Sequence, residues 1–286
     1  MQHVNRRQFL GAGASALALA ATPALRGEDK TEADPYGGFK IGAQSYTFRD
    51  FDLEKALQQM QKLGLKYGEF YQKHCPLTDK PDAIKAFLSV CKEYGVTPRA
   101  WGVQHFSKDH DANKRIFDFG KALGLKMFSA SPDKDAFDSL DKCCEEYKIA
   151  IGIHPHGPIG GGRLDQWYSA EIILAAVKDH HQLIGACLDT GHLIRSAQLG
   201  KKLDPAEQVR VMGKRNFGMH LKDHDNKRDT DVVFGKGVLD VPAVIKALRE
   251  VKFQGMISIE YEANPDNPSP DVRACLDVFK EAVKTA

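Results

Sequence analysis

From residue 39 onward the chain alternates between short apolar runs and longer stretches in which apolar residues recur every three or four positions. The short runs predict strands over 39–45, 67–71, 97–103, 127–131, 149–154, 184–189, 216–222 and 255–261. They are apolar on both faces, as strands of a buried parallel sheet are. The longer stretches predict helices over 53–63, 81–94, 116–123, 137–147, 170–178, 205–212, 241–251 and 272–283. Leu53, Leu57, Met60 and Leu63 show the 3.6-residue period in the first of them. Gly64, Gly95 and Gly124 close three helices just before the next strand, where a left-handed C-cap suits a residue without Cβ. Eight strand–helix units predict a single α/β domain, a (β/α)8 TIM barrel over 39–286. No glycine-rich dinucleotide fingerprint follows the first strand, which argues against an open doubly wound sheet.

The first residues have a different pattern. Asn5-Arg6-Arg7-Gln8-Phe9-Leu10 precedes a run of small apolar residues from Gly11 to Ala24. A charged start, a short apolar run and small residues before a break describe an export signal, here 1–27, with a polar linker over 28–38. The apolar run falls short of the roughly 20 residues that span a bilayer, so stable membrane insertion is not expected. The adjacent arginines resemble the twin-arginine class of signal. That resemblance implies a protein folded in the cytoplasm and then exported, to the periplasm or its equivalent.

Composition narrows the function. Apolar residues make up 42% and charged residues 27%, enough for a sizeable core. Removing 1–27 takes away Arg6, Arg7 and Arg26 and no acid, which leaves 37 Lys and Arg against 38 Asp and Glu. So balanced a chain has no field to gather nucleic acid or an anionic membrane. The six cysteines show no metal-ligand spacing and mostly fall inside predicted helices or strands, so they are expected as free thiols. Cys75 is expected to be exposed. Nothing in the sequence fixes the oligomeric state, and a homo-oligomer is possible.

In a barrel of this kind chemistry gathers at the C-terminal ends of the strands. The fifth predicted strand ends Ile153-His154-Pro155-His156, the sixth Leu188-Asp189-Thr190-Gly191-His192, the seventh His220-Leu221-Lys222-Asp223 and the eighth Ile259-Glu260-Tyr261-Glu262. One histidine near a strand end is usually a hydrogen-bonded structural residue. Four consecutive strands that each deliver a His, Asp or Glu to one rim point to a metal site. His154, Asp189, His220 and Glu260 would give two neutral and two anionic ligands. Imidazole with carboxylate suits Mn, Co or Zn, with Mg also possible, better than Ca.

The runs Leu188-Asp189-Thr190-Gly191-His192, His220-Leu221-Lys222-Asp223, Gly235-Lys236-Gly237-Val238-Leu239-Asp240 and Ser258-Ile259-Glu260-Tyr261-Glu262 together resemble the xylose-isomerase-like TIM-barrel superfamily. Within it they are similar to the sugar phosphate isomerase/epimerase and inosose dehydratase-like families. The resemblance implies that Asp189, His220 and Glu260 bind the metal. It also implies a Glu-x-His pattern at the fifth strand, where this chain has His154-Pro155-His156. With histidine in place of that glutamate, epimerisation by two opposed carboxylates is in doubt.

The expected chemistry is proton abstraction beside a metal-polarised carbonyl of a small keto-sugar or cyclitol, with isomerisation, epimerisation or β-elimination as outcomes. Glu260 is the candidate base and His156 the candidate acid. Glu69, His105, His192, Arg195 and Lys222 are candidate substrate contacts, and Lys222 should face the same way as His220 by strand alternation. The charged stretch 222–236 reads as a solvated loop that could close over the site. Two rivals are phosphodiester hydrolysis, as in the apurinic endonucleases of the same superfamily, and a non-catalytic sugar-binding barrel.

Overall fold

The structure is a computed structural model that describes residues 34–286. The expected signal segment, 1–27, and residues 28–33 of the expected linker lie outside the described residues. The last linker residues form a turn in which Asp34 accepts hydrogen bonds from the backbone N–H of Tyr36 and Gly38, and the Tyr36 ring packs on Phe279 of the C-terminal helix.

The eight expected strands are present as β1 (Lys40–Gln44), β2 (Tyr67–Phe70), β3 (Thr97–Phe106), β4 (Met127–Pro132), β5 (Ala150–Ile153), β6 (Ile184–Asp189), β7 (Asn216–Leu221) and β8 (Met256–Ile259). All neighbours are parallel, and the ring closes with β1 between β2 and β8, Gly42 opposite both Tyr67 and Ser258. The outer strand faces pack against the helices in one continuous core. The inner faces are layered by the two-residue alternation of the strands. Ala100, Met127, Ala150, Cys187 and Met256 form an apolar cluster of their own. Two positions further along the strands come Ser129, Asp189 and Ser258, and two further again His154 and Glu260. The barrel interior thus passes from apolar to ligating within a few residues of each strand.

Helices follow the strands as the apolar period predicts, with Gly64, Gly95 and Gly124 at φ of 76, 69 and 71°. Differences lie at polar ends. The third helix starts at His110 rather than 116, capped by Asp109 accepting from Ala112 N at 3.0 Å. Its first two turns are too polar for the apolar period to register. A short helix, Thr190–Arg195, begins where β6 ends, capped by the Asp189 carboxylate. Two small ribbons sit in the loops, Pro158–Ile159 with Arg163–Leu164 and Asp223–Asp225 with Thr230–Val232. Among the described residues no helix is long and apolar enough to cross a membrane.

All six cysteines are free and buried. Cys75, expected at the surface, is only 3% exposed, because the chain after β2 turns its side chain into the core. Burial pushes every one of these thiols up, Cys91 to about 12 and Cys143 to about 11. A thiol reagent should therefore find almost no reactive group in the folded protein and six after denaturation without reductant. Fewer than six would mean that a disulfide forms.

Candidate functional site

His154, Asp189, His220 and Glu260 meet at the C-terminal mouth of the barrel, and their ligand atoms all lie within 4.8 Å of one another. His154 Nε2 is 3.0 Å from His220 Nδ1 and 3.4 Å from Asp189 Oδ2. Glu260 Oε2 is 3.1 Å from His220 Nδ1. Atoms that share one metal at about 2.1 Å stand roughly 3 to 3.5 Å apart, so these spacings fit a divalent ion. Two further observations support the fit. Asp189 Oδ2 is buried without a hydrogen-bond partner. The His220 Nδ1 atom faces another imidazole nitrogen and a carboxylate, an arrangement that requires a cation, proton or metal, among them.

The surrounding residues are built to present these atoms. Asp189 Oδ1 accepts from His192 N at 2.7 Å, which caps the short helix and leaves Oδ2 for the cluster. Thr190 ties the ends of β6 and β7 together, accepting from Lys222 N at 2.9 Å and donating to Lys222 O at 2.6 Å. His220 Nε2 lies 2.9 Å from Glu69 Oε2, and Glu69 in turn accepts from Ser258 Oγ at 2.8 Å and from Ser129 Oγ. A carboxylate on the far nitrogen of a ligating histidine fixes its ring and tautomer. Glu69 is thus a support beneath the cluster, fully buried, and not a wall residue in contact with substrate as expected; the alternation that brings it to the inner face places it one layer too deep.

Burial alone would raise the Glu69 carboxyl, but the His220 imidazole and the two serine hydroxyls bring it below the ordinary value. Burial would lower His220, and Glu69, Cys187 and Glu260 outweigh it and raise the imidazole well above its usual range. Asp189 and Glu260 would be raised by burial and are instead held low, with Lys222 the largest opposing influence on both.

Lys222 lies among the ligands. Its Nζ is 3.0 Å from Glu260 Oε2 and 3.5 Å from Asp189 Oδ2, and it also bonds Glu262. Alternation places it on the His220 face as expected, but it is buried behind the carboxylates and does not line the pocket that a substrate would enter.

That pocket, about 410 Å3, opens above the cluster. His154, His156, His192, Arg195, Glu260 and Glu262 line it on one side, and Gln44, Tyr46, Tyr71 and Gln72 on the other. The histidine rings crowd together, His156 lying 4.7 Å from His154 and 4.9 Å from His192 between centroids. His192 Nδ1 accepts from Gly157 N at 3.1 Å, so its Nε2 carries the hydrogen. Burial pushes His192 well down and His156 to about 3. Burial thus favours the neutral form of His156, which offers one N–H and one lone pair. Arg195 Nε is 3.8 Å from Asp229 Oδ1, beyond hydrogen-bond reach. His105 is not part of the pocket: β3 runs past the rim, and His105 pairs with Asp133 at 3.1 Å on the surface.

The sequence pattern does not single out Gln44, Tyr46, Tyr71, Gln72 or Glu262. The rule that found the cluster, a His, Asp or Glu at a strand end, takes Glu69 from β2 and passes over the amides and phenols that follow β1 and β2. Glu262, two positions beyond Glu260, was open to the same alternation argument that placed Lys222. The charged stretch 222–236 is solvated only in part: Lys227, Arg228, Asp229 and Lys236 are exposed, and the flanks of the ribbon are not. Asp223, His224 and Asp231 are buried, and His224 Nδ1 bonds Asp231 at 3.0 Å. A second cavity, about 540 Å3 at the opposite mouth beside Arg99, Lys126, Lys214 and Lys252, holds none of the ligating residues.

Residues 57–282 match the family described as "Xylose isomerase-like TIM barrel". No curated protein matches the chain significantly. Among solved structures, a protein of Parabacteroides distasonis ATCC 8503 is 26% identical with a TM-score of 0.65, covering 85% of this chain and 98% of that one. A D-tagatose 3-epimerase-like protein is 20% identical with a TM-score of 0.64, covering 86% and 98%. The D-psicose 3-epimerase of Clostridium cellulolyticum H10, solved with D-tagatose, is 16% identical with a TM-score of 0.65, covering 86% and 99%. At these last two identities the likeness is one of fold.

Proposed function

The chain belongs to the xylose isomerase-like TIM-barrel family, and from that premise we propose that it is a divalent-metal-dependent enzyme of the sugar isomerase/epimerase type, acting on a keto-sugar or cyclitol. The observation that carries this reading is the convergence of His154, Asp189, His220 and Glu260, at ligand spacing, beneath a pocket sized for a small polyol that His154 and Glu260 line. A divalent ion held there would act as a Lewis acid on a substrate carbonyl and stabilise developing negative charge. Glu260 is the base. Its Oε2 belongs to the cluster, while its Oε1 accepts no hydrogen bond from the described residues and is free to take a proton from carbon. Glu69 keeps His220 in its ligating tautomer. Across the pocket, the Tyr46 and Tyr71 rings, 5.3 Å apart, give a sugar an aromatic edge, and Gln44, Gln72, Arg195 and the His192 Nε2–H supply hydrogen bonds to hydroxyls.

The two pocket carboxylates, Glu260 and Glu262, come from one end of β8, and β5 contributes histidines only. Inversion at one carbon by two opposed carboxylates is therefore less favoured than isomerisation or loss of water. The test is metal analysis of the purified protein followed by incubation with keto-sugars and cyclitols. Mn, Co, Zn or Mg at about one per chain and a product of unchanged mass, or of mass reduced by water, is expected. Asp189→Ala should empty the site and leave the far-ultraviolet circular dichroism unchanged, because rim residues serve function more than folding. Full metal in that variant, or no turnover across the panel, would sink the proposal.

We also propose export by the twin-arginine route, supported by Arg6-Arg7 ahead of the apolar run. Replacing both arginines with lysine should leave the protein unprocessed in the cytoplasm on fractionation. Normal processing and periplasmic recovery would exclude that route.

A further inference from the structure

Lys222 has a position that substrate binding does not explain. Its side chain is 2% exposed and its ammonium touches three carboxylates. The oxygens it approaches are Asp189 Oδ2 and Glu260 Oε2, the same atoms that face the His154 and His220 nitrogens. The fold makes room for it on purpose of packing alone: a Cβ at Gly191 would stand 2.6 Å from Lys222 Cδ and 2.7 Å from Cγ. Thr190 meanwhile clamps the Lys222 backbone through both its N–H and its carbonyl. Asp189, Glu260 and Glu69 are all buried within this one cluster, and buried carboxylates without a counter-charge are strongly destabilising.

We infer that Lys222 is the site's internal counter-cation, which holds Asp189 and Glu260 in ligating position before a metal enters and sets the strength of metal binding by competing for the same two oxygens. The inference rests on the metal reading above. A divalent ion on those oxygens would repel the ammonium, and Glu262, partly exposed at the mouth, offers it a carboxylate to withdraw to. Metal affinity is then the balance between the ion's gain and the cost of moving Lys222 onto Glu262.

The balance predicts opposite shifts for two variants, read by Mn(II) titration and thermal melting of the full mature chain. Lys222→Met should melt about 10 °C lower without metal, recover most of that loss with Mn, and bind Mn roughly ten- to a hundredfold more tightly. Glu262→Gln removes the refuge and should weaken Mn binding by about tenfold, but much less when Lys222→Met is also present, since no ammonium then needs a place. A purely structural lysine would weaken or leave unchanged the affinity of Lys222→Met and would not couple to Glu262. An unchanged or weaker Kd in Lys222→Met, beside normal binding by the unaltered chain, overturns this inference alone. Absence of Mn, Co and Zn binding in every form overturns the metal reading and this inference with it. Should Lys222→Met not fold, Glu262→Gln decides: tighter or unaltered Mn binding refutes the competition.

Discussion

Glu260→Gln is expected to lower turnover by about 10³-fold or more while metal remains bound, measured as kcat on whichever substrate the product screen yields. The substitution keeps the size of the side chain and an oxygen for the cluster. It removes the charge and the proton-accepting lone pair. Of the four clustered residues Glu260 alone keeps appreciable exposure, 7% against 2% or less for the others. Its Oε2 is engaged by His220 and Lys222, which leaves Oε1 as the oxygen open to the proposed role of base. An amide nitrogen there cannot accept a proton from carbon. His156 is a poorer substitute because burial depresses its basicity, and it lies on the other strand of the pocket. The metal content of the variant separates the two contributions: if metal is lost as well, the fall reports ligation rather than base catalysis. Near-normal turnover with metal present would remove Glu260 as base. A gain in activity from His154→Glu alone would return the two-carboxylate epimerase reading.

The cluster was legible because strand ends in a parallel barrel are a positional code. A short apolar run fixes where a strand stops, and the next polar residue falls on the rim; His154, Asp189, His220 and Glu260 all follow from that. Depth within the barrel is harder to read. Glu69 and Lys222 lie on the inward face as alternation requires, yet one sits below the cluster and the other behind it, and neither meets the pocket. Depth depends on strand stagger, which arises from pairing across the ring and leaves no mark in a single strand. His105 was misplaced for a related reason: the β3–β4 register shifts between Trp101 and Gln104, so counting by twos from the strand start no longer gives the side chain's direction. The charged stretch 222–236 misled because alternating charges look solvated until their partners are known, and here His224 and Asp231 satisfy each other across a short ribbon.

Asp223→Asn is expected to destabilise the fold nearly as much as Asp223→Ala, by about 3 kcal/mol or more in denaturant midpoint measurements. The two oxygens of Asp223 accept five backbone N–H groups. Oδ1 takes His224 at 2.8 Å and Val238 and Leu239 at 3.0 Å each; Oδ2 takes Gly235 and Gly237 at 2.9 Å each. The Gly235-Lys236-Gly237-Val238-Leu239 run is thus a cradle wrapped around one carboxylate. Gly237 has to be glycine for the wrap to close, since a Cβ there would lie 2.2 Å from Asp223 Oδ1. A shape argument alone would rank asparagine as a mild change. The donors decide otherwise: whichever way the amide turns, its NH2 faces two or three N–H groups and deprives them of this acceptor. Charge-assisted bonds to the carboxylate are lost as well. The cost reaches the site through sequence adjacency, because Asp223 follows Lys222 directly and the cradle fixes where that backbone leaves β7. Both variants should therefore also loosen Mn binding, whereas Lys236→Ala, exposed in the same loop, should change neither property. An Asp223→Asn protein within about 1 kcal/mol of the unaltered chain would show that the five bonds are not what holds this loop.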